Sequence, residues 1–428
     1  MRTTNKQSRI EFSLAFLILL TASFDIFGVL NISGMTLRIS QLFIVFAIVF
    51  ICFRKEKVSM PKGTGWLSLW LLLQLIAALG SSNYKYSLGY FVWTVLSIGI
   101  LFVFYNLFNT PQKTEVLLKM FVRSFVAMAL LGMVQWILRI IGIDFYLTQP
   151  TLNGTNIPRL NGFNFEPSYY ATYLLPGWVL VMYLVEEGSS LFTKRQLKVY
   201  AVLLSLALFL STSRMGWIFM GLWFVFRGFA FLRKMMVGKL KKGNLYFFVL
   251  IVLCIAGVAI IAFYLIRKRG IDFLISGLGV GGSSDHSSTP RITSMLNTLA
   301  MIKESPLIGL SLGGLPVRFC DLYEIVPFDT GATMCVWAEL LSASGILGTF
   351  FFATWFFKLY RYTGKNSKRL SRISREITGI RYALLFECFI LALNQNFLRV
   401  YFWTLLGVVC VVTRYERQNA EHFIRKQI

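Results

Sequence analysis

The sequence predicts an all-α polytopic membrane protein with about twelve transmembrane helices and both ends in the cytoplasm, and three observations carry that prediction. Only 14% of the 428 residues are charged while 56% are apolar, whereas a soluble domain carries roughly a quarter charged and a little under half apolar residues. The mean hydropathy is +0.65. Apolar runs recur along the whole chain, and 31 of the 43 lysines and arginines fall in alternate connecting segments, the bias of cytoplasmic loops.

A hydrocarbon core of roughly 30 Å needs about 20 apolar residues per crossing helix. On that measure the expected spans lie near 11–30, 39–53, 64–81, 87–108, 120–142 and 168–185, then 199–212, 214–232, 245–265, 332–357, 382–396 and 400–413. They form one integral membrane domain, 1–428. Spans seven and eight are almost continuous. The lysines and arginines gather in residues 1–10, 54–63, 109–123, 186–198, 227–243, the basic cytoplasmic loop 358–381 and the tail from Arg414. The net charge of +24 is therefore topological, and no nucleic-acid partner is needed to explain it. A basic start and an apolar run also open a secretory signal, but no small-residue cleavage site follows Ser23, so the first span is expected to be retained.

No internal repeat is visible and the two halves differ in span spacing, which counts against transporters built from related halves. Of six cysteines only Cys320 falls in an outer loop, so the set forms no disulfide framework or metal pattern. A Cys320–Cys335 bridge is one option and buried, unpaired cysteine the other.

Two expected extracytoplasmic loops are long, 143–167 and 266–331, and loops of that length are usually functional or disordered. In the second, Ser287-Ser-Thr-Pro290 offers caps and a first-turn proline, and Met295, Leu296, Leu299 and Ile302 recur at near-helical spacing. A surface helix is expected there, between spans nine and ten, ending at Lys303-Glu-Ser-Pro306. Leu307-Ile-Gly-Leu-Ser-Leu-Gly-Gly314 then reads as a flexible glycine-marked turn.

Ionisable groups beside lipid are costly and tend to be functional. Arg159 stands at the entrance to span six with Glu166 seven residues on, Arg214 in the tight junction of spans seven and eight, and Arg291 at the start of the loop helix. Guanidinium groups bind phosphate oxygens bidentately and stay charged when partly desolvated, so a converging set suits a lipid diphosphate; snorkelling or ion pairing is the alternative for each alone. Glu166 is the first candidate for a general base, with capping of span six as its other reading. Glu339 is an alternative base or a partner for an arginine. His286, beside Asp285, is a lesser candidate for proton transfer, and Tyr169 and Tyr170 are candidates for stacking on sugars. No Walker loop, HExxH or Gly-x-Ser-x-Gly motif is present.

Four stretches in this order, Arg159–Ala171, Ser211–Gly216, Arg291–Gly314 and Glu339-Leu-Leu-Ser-Ala-Ser-Gly-Ile-Leu-Gly348, resemble the O-antigen polymerase and O-antigen ligase superfamily. That resemblance implies a metal-independent, cofactor-free glycosyltransferase of the bacterial inner membrane, making lipopolysaccharide or capsule glycan from an undecaprenyl-diphosphate-linked oligosaccharide at the outer face. By the same analogy Arg214 and Arg291 would hold the departing diphosphate, Arg159 would bind beside them, and a flippase and a chain-length regulator would be partners in the membrane. Ligases of the superfamily carry a His-Asn pair where Met334 and Cys335 stand here, so the resemblance favours a polymerase joining repeat units. A ligase acting on lipid A core remains an alternative, as does a flippase or transporter. A flippase would line a cavity at mid-membrane depth with charges from both halves, whereas the arginines here lie at the outer ends of spans.

Overall fold

A computed structural model describes residues 2–32, 35–54, 56–148, 158–236, 289–323, 335–364, 372–395 and 397–427. Helix dominates them. In chain order they form α1 (Arg2–Thr21), a hairpin of β1 (Val29–Ile32) and β2 (Met35–Arg38), α2 (Ile39–Cys52), α3 (Thr64–Leu79), α4 (Tyr84–Leu107), α5 (Pro111–Ile140), α6 (Pro167–Glu187), α7 (Lys194–Leu210) and α8 (Arg214–Met236). After the undescribed stretch come α9 (Thr289–Ala300), a 3₁₀ turn at Met301–Lys303, α10 (Gly314–Tyr323), α11 (Val336–Tyr362), α12 (Ser374–Leu391) and α13 (Val400–Gln427).

Among the described residues five helices, α4, α5, α6, α8 through Arg233, and α11, are long and apolar enough to cross a membrane, with α2 and α3 as shorter apolar helices. Helices α1, α7, α12 and α13 lie where spans one, seven, eleven and twelve are expected, but α1 and α12 carry charges along their length, among them Glu11, Glu376 and Glu387. Span nine, 245–265, lies outside the described residues. Helix α6 is the centre of the bundle: it packs on α12, α7, α8 and α5, and 78% of its apolar window is buried against 33% for α8. Gly177 makes this packing possible, because a Cβ there would run into the Phe125 ring of α5.

The first difference from the sequence reading is at the end of span one. The helix stops at Thr21, and the apolar run that follows pairs as an antiparallel hairpin, Val29 opposite Arg38 and Ile32 opposite Met35. A short apolar run does not by its periodicity distinguish helix from strand. What turns the chain is Gly28 at φ +66°, and Ile39 N–H closes the return on Gly28 C=O at 3.0 Å.

The second difference is in the loop before α11. Helix α9 ends at Ala300 and the 3₁₀ turn at Lys303, and residues 307–314 are not a free turn. Helix α11 is broken at Gly345 (φ 59°, ψ −172°), and the segment around Gly309 fills the break. Ile346 N–H bonds Pro306 C=O at 2.9 Å and Leu347 N–H bonds Leu307 C=O at 3.1 Å; in return Leu310 and Ser311 N–H groups bond the Ser342 and Ala343 carbonyls at 3.2 and 2.8 Å. Gln74 of α3 seals the joint, donating to Ala343 C=O and Ser344 Oγ and accepting from Leu312 N–H. Breaking a helix orphans backbone groups that burial makes expensive, and the loop satisfies them. The two glycines make the approach possible: a Cβ on Gly345 would lie 2.5 Å from the Leu307 backbone, and one on Gly309 would strike the Ala343 backbone.

Candidate functional site

The segment 158–166 forms one wall of a mouth at the end of the bundle where α6, α8, α11 and α13 begin. Its asparagines fix its shape. Asn161 and Asn164 are fully buried, Asn161 Nδ2 donates to Tyr146 and Asn164 carbonyls, and Gln135 of α5 donates to Gly162 C=O at 2.7 Å. Gly162, at φ +55°, leaves room for the Tyr170 ring. Tyr170 has no exposed surface and its hydroxyl donates to Met128 C=O at 3.0 Å. It wedges the segment against α5 and offers no face to a sugar.

Arg159 Nε donates to Thr212 Oγ1 at 2.8 Å, which ties this wall to the junction of α7 and α8. The junction is shaped by Ser211, whose Oγ donates to Leu208 C=O, and by Thr212, which sits at φ +49° although it is not glycine. Such strain is kept where the surroundings enforce it, commonly at functional sites. Arg214 is the first residue of α8 and is exposed. Gly216 lets that helix end approach Ala171 of α6, to 3.3 Å from where a Cβ would stand. Burial lowers the affinity of the Arg159 guanidinium for its proton, Glu166 pulls it back up and Arg214 lowers it further, so these three groups share one electrostatic neighbourhood. A cation at a helix N-terminus opposes the helix dipole, and two cations side by side repel; an anion at this spot relieves both.

Glu166 occupies the N-cap position of α6, but its side chain makes no cap hydrogen bond. It is half-buried and not committed to capping. Tyr169 is buried, its hydroxyl 3.3 Å from Gln395 Oε1, and its ring lies 4.0 Å under the Arg399 guanidinium. Glu339 stands in the first turn of α11, half-buried, near Tyr90 of α4. Arg291 is in the first turn of α9, and that helix is held to α11 at its other end, where Ser342 Oγ donates to Thr298 C=O at 2.5 Å. The Arg291 side chain and all of His286 lie outside the described residues. Cys320 and Cys335 are both free thiols. No group of three or more His, Cys, Asp or Glu among the described residues is placed to hold a metal.

Two arginines of this mouth escaped the sequence reading. Arg38, at the end of β2, and Arg399, just before α13, both bond Asp25 Oδ1, at 2.8 and 2.6 Å. Asp25 in turn carries the wall: its N–H and that of Ile26 bond Phe163 C=O at 2.8 and 3.1 Å. Burial would raise the Asp25 carboxyl, but Arg399 and then Arg38 outweigh it and hold it below the ordinary carboxylate range. Their positions were the readable signal, since they are two of only twelve lysines and arginines outside the basic connecting segments.

The four stretches singled out in the sequence thus meet in two pairs, 159–171 against 211–216 and 306–311 against 342–347. One family model spans much of that set. Residues 199–353 match the O-antigen ligase family. The match supports membership of the O-antigen polymerase and ligase superfamily and, with the apolar helices, a multi-pass membrane protein of glycosyltransferase type acting on lipid-linked glycans. Among curated proteins no match is found.

Proposed function

We propose that the protein is a surface-polysaccharide polymerase, joining repeat units carried on undecaprenyl diphosphate at the outer face of the inner membrane, with both termini cytoplasmic. The observation that carries this reading is the junction of Arg159, Thr212, Arg214 and Glu166 at one mouth of the bundle. Two guanidiniums and the N-terminus of α8 suit the diphosphate of the donor, and neutralising charge on that leaving group lowers the barrier to breaking its bond to the sugar C1. The donor C1–O bond breaks, the acceptor hydroxyl oxygen bonds C1, and the hydroxyl proton passes to a base. Glu166, uncommitted to its cap, is that base in this reading, with Glu339 across the mouth as the alternative. By the family resemblance Arg291, in the first turn of α9, would add to that diphosphate grip.

The absence of a His-Asn pair at Met334 and Cys335 favours polymerase over ligase. Deleting the gene and restoring it as wild type, Arg214→Ala or Glu166→Gln, at matched membrane amounts, tests the reading. The expected result is long glycan chains with wild type and single repeat units with either variant. Accumulation of finished lipid-linked polymer in the deletion would assign the ligase step instead, and unchanged glycan would refute both.

A further inference from the structure

The Arg38–Asp25–Arg399 cluster holds more positive charge than its one carboxylate balances. Arg38 is 8% exposed and its Nη1 has no hydrogen-bond partner. Both arginines precede helices whose N-termini face the cluster, Arg38 before Ile39 of α2 and Arg399 before Val400 of α13, so two positive helix ends add to two guanidiniums. Aromatic rings back them, Trp93 at 4.8 Å from Arg38 and Tyr169 at 4.0 Å from Arg399. Both arginines bond the same Asp25 Oδ1, so one carboxylate balances one of two cations; Arg38 Nη1 is left a buried donor without an acceptor, which is costly, and Asp25 Oδ2 beside it is likewise unpaired. Tyr169 places this cluster next to the first one, since its hydroxyl senses both Glu166 and Arg399.

We propose that Arg38 and Arg399 form a second oxyanion subsite, beside the Arg159–Arg214 site and separate from it, that takes a phosphate of a lipid diphosphate or the carboxylate of an acidic sugar. Both ligands present the same paired oxygens to a guanidinium. Two anion sites at one mouth fit a reaction in which donor and acceptor are both carried on lipid diphosphate, and the choice of ligand rests on the polymerase reading above; the existence of the subsite does not.

The test is equilibrium binding of a short-chain prenyl diphosphate, and separately of glucuronate, to the full chain in lipid nanodiscs, with wild type, Arg38→Gln, Arg38→Lys and Arg214→Ala. Thermal unfolding without ligand confirms that each variant is folded. Wild type is expected to bind two anions per chain. Arg38→Gln is expected to weaken one of them by about tenfold to a hundredfold, the loss of one charged hydrogen-bonding pair, and to leave the other, which Arg214→Ala weakens instead. If Arg38→Gln does not fold, Arg38→Lys keeps the charge without the paired donors and carries the same expectation. Weakening seen with prenyl diphosphate names the phosphate as ligand; weakening seen only with glucuronate names the acidic sugar. A folded Arg38 variant that binds both probes like wild type overturns the subsite and leaves the polymerase reading standing. Arg214→Ala binding like wild type would instead remove the polymerase reading's diphosphate grip.

Discussion

Asp25 is the residue on which the mouth turns, because its side chain collects two arginines while its backbone holds the wall that carries Arg159 and Glu166. Its proton affinity is depressed from the ordinary value of 3.8, so the charged form stabilises the fold. That stabilisation is complete above about pH 4 and is lost as pH falls through the lower folded-state value. Thermal unfolding of the detergent-solubilised protein between pH 7 and pH 2 should show this acid loss, and Asp25→Asn should abolish the dependence. The same variant leaves two buried guanidiniums unbalanced and is expected to cost about 3–5 kcal/mol at neutral pH. Thr212 gives a second residue-scale prediction. Thr212→Gly relieves the left-handed backbone, worth roughly 1 kcal/mol, but removes the acceptor that orients Arg159. Unfolding temperature should hold or rise while polymer length falls, whereas Thr212→Asn, which tolerates that conformation and supplies an oxygen, should restore activity.

Among the elements, hydropathy marks helices well and says little about how their ends meet. Helices α2, α3, α4, α6 and α8 start within three residues of the expected spans, because a lipid-facing run must be helical throughout. The hairpin was missed because span one was read on through Asp25 and Gly28 as a continuous apolar run, although those two residues and Asn31-Ile-Ser-Gly34 punctuate it. Nor was the joint at Gly309 and Gly345: each glycine alone reads as a flexible turn or a helix defect, and only contact between segments over thirty residues apart gives both a purpose. Arg38 and Arg399 were missed for a related reason, because ion pairing with Asp25 is a long-range fact. Gly309→Ala or Gly345→Ala should each cost at least about 2 kcal/mol, combining left-handed strain with a backbone clash. Fluorescence-detected size exclusion should show lost folded yield for both, while Gly65→Ala, which has open space around its Cβ position, should behave as wild type.

For the whole molecule, ion-pair clusters stand at both ends of the described bundle, Asp25 with Arg38 and Arg399 at the mouth, and Glu11 with Arg54 and Lys113 and Glu186 with Arg227 at the other. Exposed cations at the two ends make the proposed orientation testable. In a cysteine-free background, Lys85→Cys should react with an impermeant maleimide on intact spheroplasts, and Arg372→Cys only after permeabilisation. The reverse pattern would invert the topology and move the proposed chemistry to the wrong face.

The plugged break in α11 has a mechanical consequence. Because four backbone hydrogen bonds span it and two glycines leave no slack, residues 306–311 cannot swing as a hinge. The segment is riveted to both halves of α11, to Ser342 and Ala343 before the break and to Ile346 and Leu347 after it, so the kink angle of that helix is set by a stretch of chain more than thirty residues away.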